Sequence, residues 1–174
     1  MHRKLIAMAL LAGGLGCAPA AAQGAKPNDA QIAHIAYTAG QIDIDAAQLA
    51  LKKAQNKDVR AFAEDMLRDH KAVNEKALAL VKKLKVTPQD NDTSKALLKQ
   101  AKDKQAELQK LSGTAFDKAY AENEAAYHKT VNGALESTLI PSAGNAELKD
   151  LLSTGLKIFQ GHQQHAEHVL SELK

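Results

Sequence analysis

Beyond residue 28, apolar residues recur at intervals of three and four, the spacing that lays one stripe along a helix face. Ile32, Ile35, Ala39, Ile42, Ala46 and Leu49 form such a stripe over about Asp29 to Gln55, and Asn56 supplies a stop. Asp58 caps a second predicted helix to about Lys85, with Val59, Phe62, Met66, His70, Val73, Ala77, Leu80 and Leu84 on its buried side. So short a link folds the two back as an antiparallel pair.

Thr87-Pro88 ends the second helix, and the polar loop Gln89 to Asp92 leads into a shorter one, about Thr93 to Leu111. Its main apolar positions are Leu97, Leu98, Leu108 and Leu111, which suits a connection laid along a bundle. After Ser112-Gly113, Thr114 and Asp117 stand in capping-box spacing ahead of a third long helix to about Leu139. Phe116, Tyr120, Tyr127, Val131 and Leu135 are its core candidates. Pro141 and Gly144 mark a turn, Asn145 caps the last helix, and Leu148, Leu152, Gly155, Phe159, His162, Ala166, Val169 and Leu173 share its stripe. Four long helices of roughly equal length, each about 40 Å at 1.5 Å per residue, predict an all-α four-helix bundle. The additional shorter connecting helix falls between the second and third long helices, and the handedness of that connection is left open.

The first residues follow a different pattern. Met1-His2-Arg3-Lys4, the apolar run Leu5 to Leu15 and the small residues Ala18 to Ala22 have the tripartite form of a secretory signal peptide cut after Ala22. This divides the chain into a signal peptide (1–22), a linker (23–28) and one helical domain (29–174). Export to the periplasm follows as the expected location. Lipid anchoring through Cys17, the single cysteine, is the alternative, although Gly14-Leu15-Gly16 fits a lipoprotein cleavage site poorly. Removing 22 of 174 residues leaves 152, one ordinary domain, and no later run approaches the roughly 20 apolar residues of a transmembrane segment.

Composition narrows the chemistry. The formal charge of +3 falls to +1 once Arg3 and Lys4 are removed, acids and bases are interspersed, and aromatics make up 3%, which speaks against a nucleic-acid partner. Lys82, Lys83 and Lys85 are cations suited to the end of a helix. There is no cysteine in the expected mature chain, no glycine-rich phosphate loop and no serine in a nucleophile elbow. A protein partner or a homo-oligomer stays open.

The candidate site comes from histidines. His70, His128 and His162 sit on the apolar stripes of three different helices, Glu124 precedes His128 by one turn, and Asp43 lies on the first helix. One reading makes His70, His128, His162, Glu124 and Asp43 the nitrogen and oxygen ligands of one first-row transition metal, Fe, Mn, Cu or Zn. The other makes the three imidazoles core residues hydrogen-bonded to Asp69, Glu124, Tyr120 or Tyr127. His165 and His168 follow His162 by three and six residues, a turn of about 120°, so His168 is expected in solvent.

Several segments together resemble the bacterial domain-of-unknown-function family 4142: Ala39-Gly40-Gln41-Ile42-Asp43, Val59-Arg60-Ala61-Phe62-Ala63 leading to Met66 and Asp69-His70, Ser112-Gly113 before Phe116-Asp117-Lys118-Ala119-Tyr120, His128, and His162. The resemblance spans about Pro27 to Leu173 and implies an exported, ferritin-like helical bundle, often labelled a membrane or outer-membrane protein, of uncharacterised biochemical function. Di-iron enzymes of ferritin-like fold carry a glutamate three residues before each ligand histidine. Here Leu67 and Phe159 occupy those positions before His70 and His162, which argues against di-iron oxidase chemistry. Three functions are therefore carried forward: a periplasmic binding or envelope stress-associated protein, a mononuclear metal protein, and a structural or partner-binding helical module. Catalysis is not expected.

Overall fold

The computed structural model describes residues 26–173, so the expected signal peptide, Cys17 and the first part of the expected linker lie outside the described residues. The described chain is helical: α1 (Asp29–Lys53), α2 (Lys57–Lys83), α3 (Asp92–Lys110), α4 (Gly113–Ala134), a π-helical turn (Leu135–Leu139), α5 (Ile140–Ser142) and α6 (Ala146–Glu172). The all-α class and the shorter helix between the second and third long ones are as expected. The π turn ends two residues before Pro141, whose missing N–H cannot continue an α-helical ladder.

Several caps differ from the sequence expectation. Asn56, read as a stop, is the N-cap of α2, its side chain accepting from the N–H groups of Asp58 and Val59. Asp58 is instead the acidic residue of the first turn, where it meets the helix dipole. Asp117 closes no capping box with Thr114. Its carboxylate accepts from the backbone N–H groups of Gln55 (3.1 Å) and Asn56 (2.9 Å), pinning the α1–α2 link to α4. At the opposite end Asp29 does the same for Gly144 (2.8 Å) and Asn145 (2.9 Å). Helix α2 stops at Lys83 because Lys85 adopts a left-handed φ of 54°, with Val86 N–H donating to the Val81 carbonyl and Lys85 N–H to that of Lys82.

These ties fix the topology. Helix α3 starts beside the start of α1, where Gln89 N–H donates to Ala30 O, and ends beside its end, where Lys53 Nζ donates to Gln109 O. It therefore runs along α1 in the same direction, and α4 returns parallel to α2. Leu108 of α3 is buried, but Leu98, expected as a contact, is 51% exposed. The stripe of α1 also turns from its expected course. Its buried face passes through Ile32, Ile35 and Ala39 to Asp43, Ala47 and Ala50, while Ile42, Ala46 and Leu49 are half-buried and line a groove toward α3. A helix with neighbours on several sides carries a wider apolar face than one stripe describes.

Two apolar clusters share the core. One, at the end of the α1–α2 link, contains Ala47, Ala50, Phe62, Met66, Phe116, Tyr120 and Ala166. The other, at the opposite end, contains Ile32, Ile35, Leu135, Leu139, Leu148 and Leu152. Between them along α1, α2, α4 and α6 come Asp43, His70, Glu124, His128 and His162, each no more than 6% exposed.

Candidate metal centre

The polar belt arises because the period that buries apolar side chains elsewhere brings an ionisable one to the axis at mid-helix on all four long helices. His70, His128 and His162 converge: ring centroids are 5.6 Å apart for His70–His128, 5.2 Å for His70–His162 and 5.5 Å for His128–His162. Each offers a nitrogen within 4.8 Å of the others, and Asp43, Glu124 and His128 form a second such triple, so all five sequence candidates meet in two overlapping groups sharing His128. Beyond them, Phe159 lies flat on His70, 4.7 Å between centroids and 3° from parallel.

The hydrogen bonds determine which nitrogens are free. His128 Nδ1 lies 3.0 Å from the backbone oxygen of Glu124, to which it donates as the Nδ1–H tautomer, and His128 Nε2 has no partner. His162 Nε2–H donates to Asp69 Oδ2 at 3.1 Å, leaving His162 Nδ1 unpartnered. Neither nitrogen of His70 is hydrogen-bonded. Its Nδ1 stands 3.5 Å from Asp43 Oδ2. The internally satisfied arrangement considered from sequence is met only in part: Asp69 and the Glu124 carbonyl accept, whereas the Tyr120 hydroxyl has no partner and Tyr127 donates to Ala39 O at 3.4 Å.

Burial depresses all three imidazoles. His70 is held well below the ordinary range by burial and then by His128 and His162, and His128 is pushed down to about 4 by burial and His162. His162 is lowered by burial against the pull of Asp69. At neutral pH the rings are uncharged and keep their lone pairs. The carboxyls shift the other way: burial raises Asp43 well above its usual value, with Glu124 adding to the rise, and burial brings Glu124 to about 7. Two acids in a dry interior do not both ionise cheaply, so the pair retains a proton near neutrality. Against the burial that would raise it, Asp69 is kept low by donation from Arg68 and His162.

The sequence named Asp69 among the hydrogen-bond partners of the core imidazoles without saying which ring it serves, and the bond goes to His162 and not to the neighbouring His70. Successive residues on a helix point about 100° apart, and that rotation was the available signal. The stacking of Phe159 had no signal beyond its place on the α6 stripe. His165 is half-buried, its ring edge-on to Phe62 at 5.0 Å, and His168 is exposed as expected.

A family model described as "Domain of unknown function (DUF4142)" matches residues 16–169. In fold the chain is similar to the crystal structure of a DUF305 protein from Streptomyces coelicolor, described as secreted, with a TM-score of 0.69 and 11% identity over 82% of this chain and 91% of that one. That likeness concerns the fold alone. No curated protein matches the chain.

Proposed function

Because the chain belongs to the DUF4142 family, whose description assigns it no activity, we propose a function from the geometry of its own core: a bundle exported to the periplasm that holds a single first-row transition-metal ion. The observation that carries this reading is the set of unpartnered, buried nitrogens on His70, His128 and His162. A buried imidazole kept only for packing is ordinarily hydrogen-bonded, and an orphaned lone pair in a dry interior costs about 1–3 kcal/mol. Three at one point are accounted for by an ion.

The surrounding groups fit. Ligand histidines typically donate their second ring nitrogen to a carboxylate or a backbone carbonyl, which fixes tautomer and orientation. His162 has Asp69 for this and His128 the Glu124 carbonyl. His70 faces Asp43, so Asp43 and Glu124 offer either oxygen ligands or support for the imidazoles. Imidazole and carboxylate donors without a thiolate suit Fe, Mn, Cu or Zn. The ion would supply a Lewis-acidic or redox centre. The protein's own part is to present neutral donors and exclude water, which suits binding or sequestration within the envelope. Phe159 in place of a glutamate three residues before His162 weighs against a di-iron centre.

Metal analysis of the untagged protein tests this reading. About one equivalent of a specific metal is expected, with loss of that metal when His70, His128 and His162 are replaced by alanine. A metal-free protein that also fails to take up added Fe, Mn, Cu or Zn removes it.

A further inference from the structure

On the Leu135–Leu152 side of the imidazoles, a chamber of about 680 Å³, open to solvent at its rim by Asp92, Thr93 and Thr130, reaches in between the helices. Its wall includes neighbours one turn away from the buried ionisable residues of all four long helices: Ala39 four residues before Asp43, Asn74 four after His70, Val131 three after His128 and Phe159 three before His162. The inner end of the chamber therefore adjoins the imidazole cluster. Phe159 belongs to both, lining the space and lying flat on His70. Voids much larger than a water molecule are few in a close-packed interior, whereas small-molecule sites occupy roughly 300–1,000 Å³ and combine an apolar wall with a few polar groups.

The lining defines what fits. Its body is aliphatic, with Ile35, Val73, Leu135, Leu148 and Leu152 among the contributors, and Phe159 is the one aromatic ring on the wall among the described residues. Among the described residues no Lys, Arg or His lines it, and the one charged lining residue is the exposed Asp92. An anionic headgroup would meet no cationic side chain among the described residues, and the partial positive end of α3 is already offset by Asp92 in its first turn. Where α1 meets the start of α3, the Gln31 side-chain N–H groups and the Thr93 hydroxyl can instead serve an uncharged hydroxyl or carbonyl, while the Asn91 amide is already held by Ser94 N–H and the Gln31 and Gln89 carbonyls. We infer that the chamber is a binding site for a neutral amphiphile with a long aliphatic body and an uncharged oxygen-bearing head. This goes beyond the metal reading and does not require an ion at the histidines.

The test uses the untagged, metal-free protein, so failure of metal uptake leaves it readable. The neutral dye Nile red is bound and then displaced by 1-octanol, 1-decanol, 1-dodecanol or dodecanoate. Saturable displacement at one site per chain is expected, with affinity rising about fourfold per added methylene across the alcohols. Dodecanoate should bind at least tenfold more weakly than 1-dodecanol. Ala36→Phe and Ala77→Phe, which fill the chamber from half-buried small residues on its wall, should each weaken dodecanol at least tenfold while keeping the helical circular dichroism. Should both variants unfold, hydrogen exchange of the unmodified protein decides, with dodecanol-induced protection expected in the second half of α2, residues 131–142 and the first half of α6. The inference is overturned by non-saturable displacement, by dodecanoate binding as tightly as dodecanol, by folded variants that bind normally, or by protection confined to other segments.

Discussion

Asp69 of α2 accepts a hydrogen bond from His162 Nε2 of α6 at 3.1 Å, while His70, its neighbour in sequence, turns to the bundle axis. One carboxylate thereby sets the tautomer of an imidazole 93 residues away and leaves Nδ1 with the free lone pair. Asp69→Asn should weaken metal binding about 10–100-fold without changing stoichiometry, as removal of such supporting groups does elsewhere. Competition with a chelator of known affinity measures this, and an unchanged affinity would exclude a supporting role for Asp69.

Glu124 gives a pH signature. Its folded pKa, raised by burial to about 7 from an ordinary 4.5, means the folded chain holds the proton more tightly than the unfolded chain. That contribution to stability is full below about pH 4.5 and is lost as pH rises through 7. The depressed His70 and His128 act in the opposite sense, costing stability as pH falls below about 6.5. Comparing Glu124→Gln with the parent protein at each pH isolates the glutamate. In metal-free protein the variant should melt several degrees higher at pH 8 and within a degree or two at pH 5. Equal differences at both pH values would contradict the shift.

His70 is 1% exposed with both ring nitrogens unpartnered. His70→Leu should abolish metal binding and stabilise the metal-free protein by about 1–3 kcal/mol in urea unfolding, because an unsatisfied polar ring is exchanged for an apolar side chain of similar size. A clear loss of stability would mean that the ring serves packing.

Asp117 and Thr114 separate a sequence expectation from the observed tie. Asp117 is buried and accepts two backbone N–H groups of the α1–α2 link, whereas Thr114 is exposed. Asp117→Ala should cost about 2–3 kcal/mol and Thr114→Ala less than about 0.5. Chemical denaturation of the two variants side by side makes the comparison.

At Gly40 the α2 side chain of Asn74 occupies the place of a Cβ, which would collide with Asn74 Oδ1. Gly40→Ala should destabilise by about 1–3 kcal/mol, and adding Asn74→Ala should recover part of the loss. A double variant no better than the single one would place the strain elsewhere.

Much of the site could be read along the chain because it depends on helical period. Residues His70, His128 and His162 fall on the same stripes as Phe62, Phe116 and Leu152, and a bundle sends every stripe to one axis. Asp69, Asp117 and Asp29 were not legible in the same way. Each bonds to another helix or inter-helix link more than sixty residues away, and local spacing carries no information about partners at that separation. The course of α1 failed for a related reason: Ile42, Ala46 and Leu49 keep a good period, but the position of α3 decides whether that face is core or groove.

The sequence by itself determined four long helices, a shorter connection and the turning of His70, Glu124, His128 and His162 to the inside, because apolar periodicity and the burial it enforces are local properties; Asp43 joined them only through the rotation that α1 adopts in the bundle. Tertiary structure alone decided which imidazole nitrogens are tied and which stay free, and where α3 lies. It also decided that a chamber opens beyond Phe159. Those outcomes depend on the relative rotation and separation of packed helices, which follow from the fit of all their side chains at once.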